Sequence, residues 1–263
     1  MIVRTSIAVL LLAATSALAQ TDTLRTGLHG GWALANGDQI APLRMQMAPG
    51  WHTYWRAPGD AGIPPQFDWS GSENVASVRI RWPRPQVFSL GGSTTIGYEG
   101  DLTLPLEIAP RDASKPMFLR GRGDVGVCNE ICVPASFEVS ADLPRPSVED
   151  PTIAAALRRR PSTGAEAGLA GIACTLSPTP DGLRLSATLT LPDTGGREVV
   201  VVEAGDPTLY VSPADVVRSG GRLTAVVDVS GSDGGPVALV RDRIVLSVLG
   251  SKRAVEISGC PAG

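Results

Sequence analysis

The chain has 263 residues, with 23 Lys and Arg against 26 Asp and Glu and a formal net charge of −3, so no overall attraction to nucleic acid or another polyanion is expected. Its 30 Gly, 22 Pro and 5% aromatic residues favour many short strands and turns and exclude a mainly helical fold. The length exceeds what one small sandwich needs and fits two domains.

Residues 1–19 combine Arg4, an apolar run from Ile7 to Ala14 and the ending Ala17-Leu18-Ala19, which together predict a secretory signal peptide cut before Gln20. The apolar run is short for a membrane span. The mature chain is expected to be soluble in an oxidising compartment, where four cysteines should pair.

From 20 to 144 the alternation predicts a first β-sandwich. Strand candidates are 22–33, 39–47 and 53–56, then 66–69, 75–82, 102–109 (with Pro105 favouring an edge or bulge), 116–120 and 136–141. Met45 and Met47 fall on one strand face, which suits core filling. In Trp51-His52-Thr53-Tyr54-Trp55-Arg56, period two sends Trp51, Thr53 and Trp55 one way and His52, Tyr54 and Arg56 the other. Asp60 to Pro65 reads as a loop. The segment from Phe88 to Tyr98, with its central Gly91-Gly92, reads as a mobile loop able to carry a hydrophobic lid.

The stretch with the most chemical content is Gly126-Val127-Cys128-Asn129-Glu130-Ile131-Cys132-Val133-Pro134. β-Branched residues flank both cysteines and Pro134 argues against a helix, so a hairpin is expected with Cys128 and Cys132 at its mouth and Asn129 and Glu130 near its tip. Opposed hairpin positions need only a small adjustment to form a disulfide. Closing so few residues takes little entropy from the unfolded chain, which suits an exchangeable bond; a structural clip and capture of a soft metal stay open as alternatives. Glu130 either tunes a thiolate, raising its pKa, or is simply a solvated turn residue.

Residues 145–168 read as a linker with one short helix, capped by Asp150, opened by Pro151 and ended by Pro161. Arg158-Arg159-Arg160 is the chain's one basic block and fits the carbonyl end of that helix. From 169 to 263 the Val-rich runs 174–178, 183–191, 198–204, 223–229, 237–240, 244–249 and 254–257 predict a second β-sandwich. Cys174 in its first strand and Cys260 after its last are expected to form a structural disulfide. The fold class is therefore all-β, two immunoglobulin-like sandwiches joined by a short helical linker.

Three stretches together resemble the periplasmic N-terminal region of the DsbD/ScsB family of thiol:disulfide interchange proteins: 51–65 (WHTYWRAPGDAGIPP), Arg81 to Phe88 with Gly97-Tyr98-Glu99-Gly100, and 128–135 (CNEICVPA). The spacing of the cysteines fits the suppressor of copper sensitivity branch better than the classical member. The resemblance implies an immunoglobulin-like first module and a redox pair, Cys128 and Cys132, that takes electrons from a membrane transporter domain and passes them to periplasmic thioredoxin-fold proteins. It also implies a cap loop over the pair, for which Phe88 to Tyr98 is the candidate, and gives Cys128 slight preference for the interprotein bond. The chain ends at Gly263 with neither the transporter nor the thioredoxin domain of the full-length proteins, so the expectation is either a stand-alone relay or one whose partner is a separately encoded membrane thiol reductase or transporter, with no cofactor. The competing class is a binding module that docks a protein or Cu(I) without electron transfer, with Met45, Met47, His52, Cys128 and Cys132 as metal ligands. A third is a scaffold in a cytochrome or envelope assembly.

Overall fold

The computed structural model describes residues 23–90, 92–143, 149–231 and 237–263; the expected signal peptide lies outside them. The first half holds β1 (Leu24–Leu28), β2 (Trp32–Ala33), β3 (Gln39–Met47), β4 (His52–Gly59), β5 (Gln66–Asp68), β6 (Val75–Ile80), β7 (Gln86–Leu90), β8 (Ser93–Glu99), β9 (Leu102–Pro110), β10 (Met117–Cys128) and β11 (Cys132–Leu143). After α1 (Pro151–Arg158) come β12 (Ser162–Thr163), β13 (Gly171–Thr179), β14 (Gly182–Thr190), β15 (Val199–Glu203), β16 (Leu209–Val211), β17 (Asp215–Ser219), β18 (Arg222–Gly231), β19 (Val245–Leu249) and β20 (Ala254–Ser258).

These strands build four sheets. One runs β1-β3-β9-β6 with β2 on β3, and it faces a second running β11-β10-β4-β8-β7 with β5 on β10. Period-two alternation turns Leu43 and Met45 of β3 and Leu104 and Leu106 of β9 inward, onto Trp55, Ile96, Leu119 and Val127 of the facing sheet. Pro105 does not mark an edge, because β9 lies between β3 and β6. It sits opposite Pro42, so neither proline deprives the other of a donor. Each lies where the next strand's pairing runs out, at Leu28 of β1 and Ile80 of β6.

The third and fourth sheets run β12-β20-β19-β15 and β13-β14-β18-β16, with β17 on β18. Val200 and Val202 face the second core, while Val199 and Val201 pack on the first, and Val248 and Leu249 divide the same way. A sheet covered on both faces reads as a continuous apolar run instead of an alternation, which is the origin of Val199-Val200-Val201-Val202. The two sandwiches are thus packed face to face. Arg56 bridges them, bonding Glu203 at 2.8 Å and Glu256 at 2.5 Å. Arg84 adds a second tie, donating to the carbonyls of Gly250, Ser251 and Lys252 at 2.7–2.8 Å.

The helix forms as its caps predict: the Asp150 side chain accepts from the Thr152 N–H at 2.7 Å and Pro151 opens the first turn. Beyond it, 162–168 is no free linker. Ser162 and Thr163 pair in parallel with β20, and Ala167 is buried in the second core. Residues 237–240 form no strand; Val237 and Leu239 lie against the core without a partner strand. The expected Phe88–Tyr98 loop is a hairpin of β7 and β8 turning at Gly92, whose φ of 88° suits glycine.

Candidate functional site

The cysteine hairpin forms as its flanks predict. β10 and β11 pair antiparallel from Met117↔Leu143 to Cys128↔Cys132, and the last pair is joined by a disulfide with Cα atoms 4.1 Å apart. Asn129, Glu130 and Ile131 make the tip, closed by the Asn129 N–H on the Ile131 carbonyl at 3.0 Å. The two cysteines differ in access. Cys128 is 1% exposed, because β4 covers it with His52 directly alongside in register; Cys132 lies beyond the reach of β4 and is exposed. Access therefore favours Cys132 as the sulfur a partner can reach, against the preference for Cys128.

Over the sulfurs lies Tyr54, which belongs to the outward set of β4 but is only 3% exposed. Its hydroxyl is 2.9 Å from the Cys128 Sγ and 3.3 Å from the Cys132 Sγ. Disulfide sulfurs carry no hydrogen, so the hydroxyl donates. Burial pushes the Tyr54 pKa up, which keeps that proton in place at neutral pH. What buries it is the loop from Asp60 to Pro65. β4 and β5 both pair with β10, and between them the chain leaves the sheet and folds back over Gly126. A Cβ at Gly126 would fall 2.9 Å from Ile63 and 3.1 Å from the Tyr54 ring, so the missing side chain is what admits both. Thr53 secures the strand beneath, donating from Oγ1 to the Gly126 carbonyl at 2.9 Å.

His52 extends the aromatic surface, edge-on to Tyr54 at 5.5 Å and tilted against Phe88 at 5.3 Å. Burial lowers its pKa, with the Glu99 charge pulling the other way, so the ring is neutral at neutral pH. Phe88 thus reaches the site's margin through His52. Tyr98 does not cover the pair: it is 6% exposed in the first core, stacks on Trp82 and donates its hydroxyl to the Pro83 carbonyl at 2.7 Å. The pairing explains this, since Tyr98 lies opposite Thr53 and shares its inward face. Glu130 is exposed at the tip. Met45 and Met47 are core residues of the other sheet, 1% and 7% exposed, so of the possible metal ligands only His52 stands beside the cysteines. Sequence reasoning missed Tyr54, Ile63 and Gly126; the signal available was Tyr54's place in one face with His52, one register step from Cys128.

Cys174 and Cys260 form the second disulfide, 86 positions apart in sequence, with exposures of 1% and 0%. Arg241 holds its ends, donating to the Cys174 carbonyl at 3.1 Å and the Cys260 carbonyl at 2.9 Å. On the chain-entropy model the long loop is worth about 4.5 kcal/mol and the short one about 2 kcal/mol.

The chain is thus a pair of β-sandwiches with one buried long-range disulfide and one short disulfide half open to solvent. Residues 31–144 match the family described as "Thiol:disulfide interchange protein DsbD, N-terminal". The whole chain is similar in fold to the N-terminal periplasmic domain of ScsB from Proteus mirabilis, with a TM-score of 0.68 and 20% identity over 94% of this chain and 97% of that one. No curated protein sequence matches the chain. No helix among the described residues is long and apolar enough to cross a membrane.

Proposed function

We propose that the protein is a periplasmic dithiol–disulfide relay in which Cys132 exchanges with partners and Cys128 resolves. The observation that carries this reading is the asymmetry of the pair: Cys132 is exposed, Cys128 is buried, and the Tyr54 hydroxyl reaches both sulfurs. In the loading direction a thiolate of a membrane reductase attacks the Cys132 Sγ. The Cys128–Cys132 bond breaks, its electron pair leaves on the Cys128 sulfur, and the Tyr54 O–H stabilises that thiolate. The reductase's second thiol then attacks its own sulfur in the mixed disulfide and releases Cys132 as a thiolate. In delivery, the Cys132 thiolate attacks the disulfide of a thioredoxin-fold partner and expels one partner thiolate; Cys128 then attacks the Cys132 Sγ, re-forms the internal disulfide and frees the reduced partner.

The loop from Asp60 to Pro65 is the cover in this scheme, holding Tyr54 over the sulfurs through Ile63. Trapping tests it. In Cys128→Ser the resolving thiol is gone, so a reducible adduct on Cys132 should accumulate when the variant is produced in the periplasm; Cys132→Ser should form none. Absence of an adduct from Cys128→Ser, together with stoichiometric Cu(I) uptake by the reduced wild type that depends on His52, would replace the relay with the binding module.

A further inference from the structure

The sequence's one basic block does not stand alone in space. A cleft of about 630 Å³ opens where the two sandwiches meet, and Arg158, Arg159 and Arg160 at the end of α1 form one side of it. Arg197, ahead of β15, and Lys252 and Arg253, in the turn from β19 to β20, form the other, with Arg84 between. No Asp or Glu is among the described residues that line it. Three of these cations are already committed: Arg84 to the carbonyls of the β19–β20 turn, Arg253 to those of Ala167, Pro192 and Asp193, and Arg160 to Glu166. Arg158, Arg159, Arg197 and Lys252 are exposed and form no ion pair with another described residue. In a chain of net charge −3, such a gathering is a local positive field seeking a counter-charge.

The remaining wall tells what shape of anion fits. It is β7, the outer strand of the sheet that carries the cysteine hairpin. Val87 and Ser89, both exposed, line the cleft, while the residue between them, Phe88, points to the opposite face and meets His52. An outer strand offers backbone N–H and C=O groups with no partner strand, a template for an added extended segment. A lone phosphate would fill a small part of the cleft and use none of that edge.

We propose that this cleft is a docking site for an extended acidic segment of a partner protein, added along β7 with its carboxylates on Arg158, Arg159, Arg197 and Lys252. The identity of that partner as a redox protein rests on the relay reading, since Phe88 links the strand to the disulfide's margin; the binding itself does not.

The test uses the full-length oxidised protein and a fluorescently labelled, cysteine-free peptide of alternating Val and Glu, so its outcome is independent of adduct trapping. Anisotropy should show saturable binding that weakens as salt rises, and no binding of the Val-Gln analogue. Arg159→Ser combined with Arg197→Ser should weaken it about tenfold, as expected for two exposed pairs worth about 0.7 kcal/mol each. A Val-Glu peptide N-methylated at alternate residues keeps the charge and loses edge donors, and should also bind at least about tenfold more weakly. Equal binding of the methylated peptide would overturn the strand-addition geometry. Unaltered binding to the doubly substituted protein, or displacement of the peptide by inorganic tripolyphosphate or anionic lipid vesicles at lower concentration than unlabelled peptide, would overturn the site or its occupant.

Discussion

Replacing Tyr54 with Phe isolates one hydrogen bond. Attack on Cys132 makes Cys128 the leaving thiolate, in a position 1% exposed where burial disfavours charge. The Tyr54 hydroxyl, 2.9 Å from its sulfur, is placed to offset that cost. A hydrogen bond to a charged group is worth about 1.5–3 kcal/mol, so its loss should destabilise the resolving thiolate by about that much in the reduced protein. If roughly half of the thiolate charge has developed in the transition state of exchange, reduction of the disulfide slows by about 4- to 12-fold. The ring stays in place, so access under Ile63 is unchanged. Tyr54→Ala separates the two effects, since it also uncovers the sulfurs and should be attacked faster than Tyr54→Phe. The measurements are the rate of reduction by dithiothreitol under pseudo-first-order conditions and a pH titration of thiolate ultraviolet absorbance. A folded Tyr54→Phe protein with wild-type rate and wild-type thiol pKa would refute the assignment.

Under stepwise reductant, alkylation and peptide mapping should show Cys128 and Cys132 labelled well before Cys174 and Cys260, because only Cys132 of the four is exposed; simultaneous labelling contradicts this. Cys174→Ser should lower the unfolding free energy by about 2–5 kcal/mol in urea without forming a specific adduct, as for loss of a long-range native disulfide; a change within about 0.5 kcal/mol would show the bond is not the staple. Glu166 is held at about 2, below its ordinary 4.5, by the Arg160 guanidinium and then the Thr163 N–H. A depressed carboxylate contributes stability that is fully present above the unfolded pKa and is lost as pH falls through the folded one. The Glu166 carboxyl should therefore titrate by NMR near pH 2, and Arg160→Gln should bring its midpoint up toward the ordinary value; a wild-type midpoint at the ordinary value would exclude the pair in solution.

What the residues determine on their own is local. β-Branched flanks and Pro134 specify the cysteine hairpin down to the Cys128↔Cys132 register, and Asp150 with Pro151 starts the helix, because turn chemistry and capping act over a few positions. Other features needed the tertiary fold. The lid-like reading of Phe88 to Tyr98 failed because β4 supplies β8 with a partner strand, and the apolar run 237–240 packs on the second core through Val237 and Leu239 without joining a sheet. Tyr54 reads as one of several aromatics until β4 is paired with β10, which sets its hydroxyl against both sulfurs. The unequal access of Cys128 and Cys132 has the same origin, since symmetric spacing carries no information about where β4 ends. Most of all, an acidic chain shows no basic site until one sheet of the second sandwich packs both its faces. That burial of long-range apolar surface brings the end of α1, Arg197 and the β19–β20 turn together, and no short-range pattern encodes which distant cations it will gather.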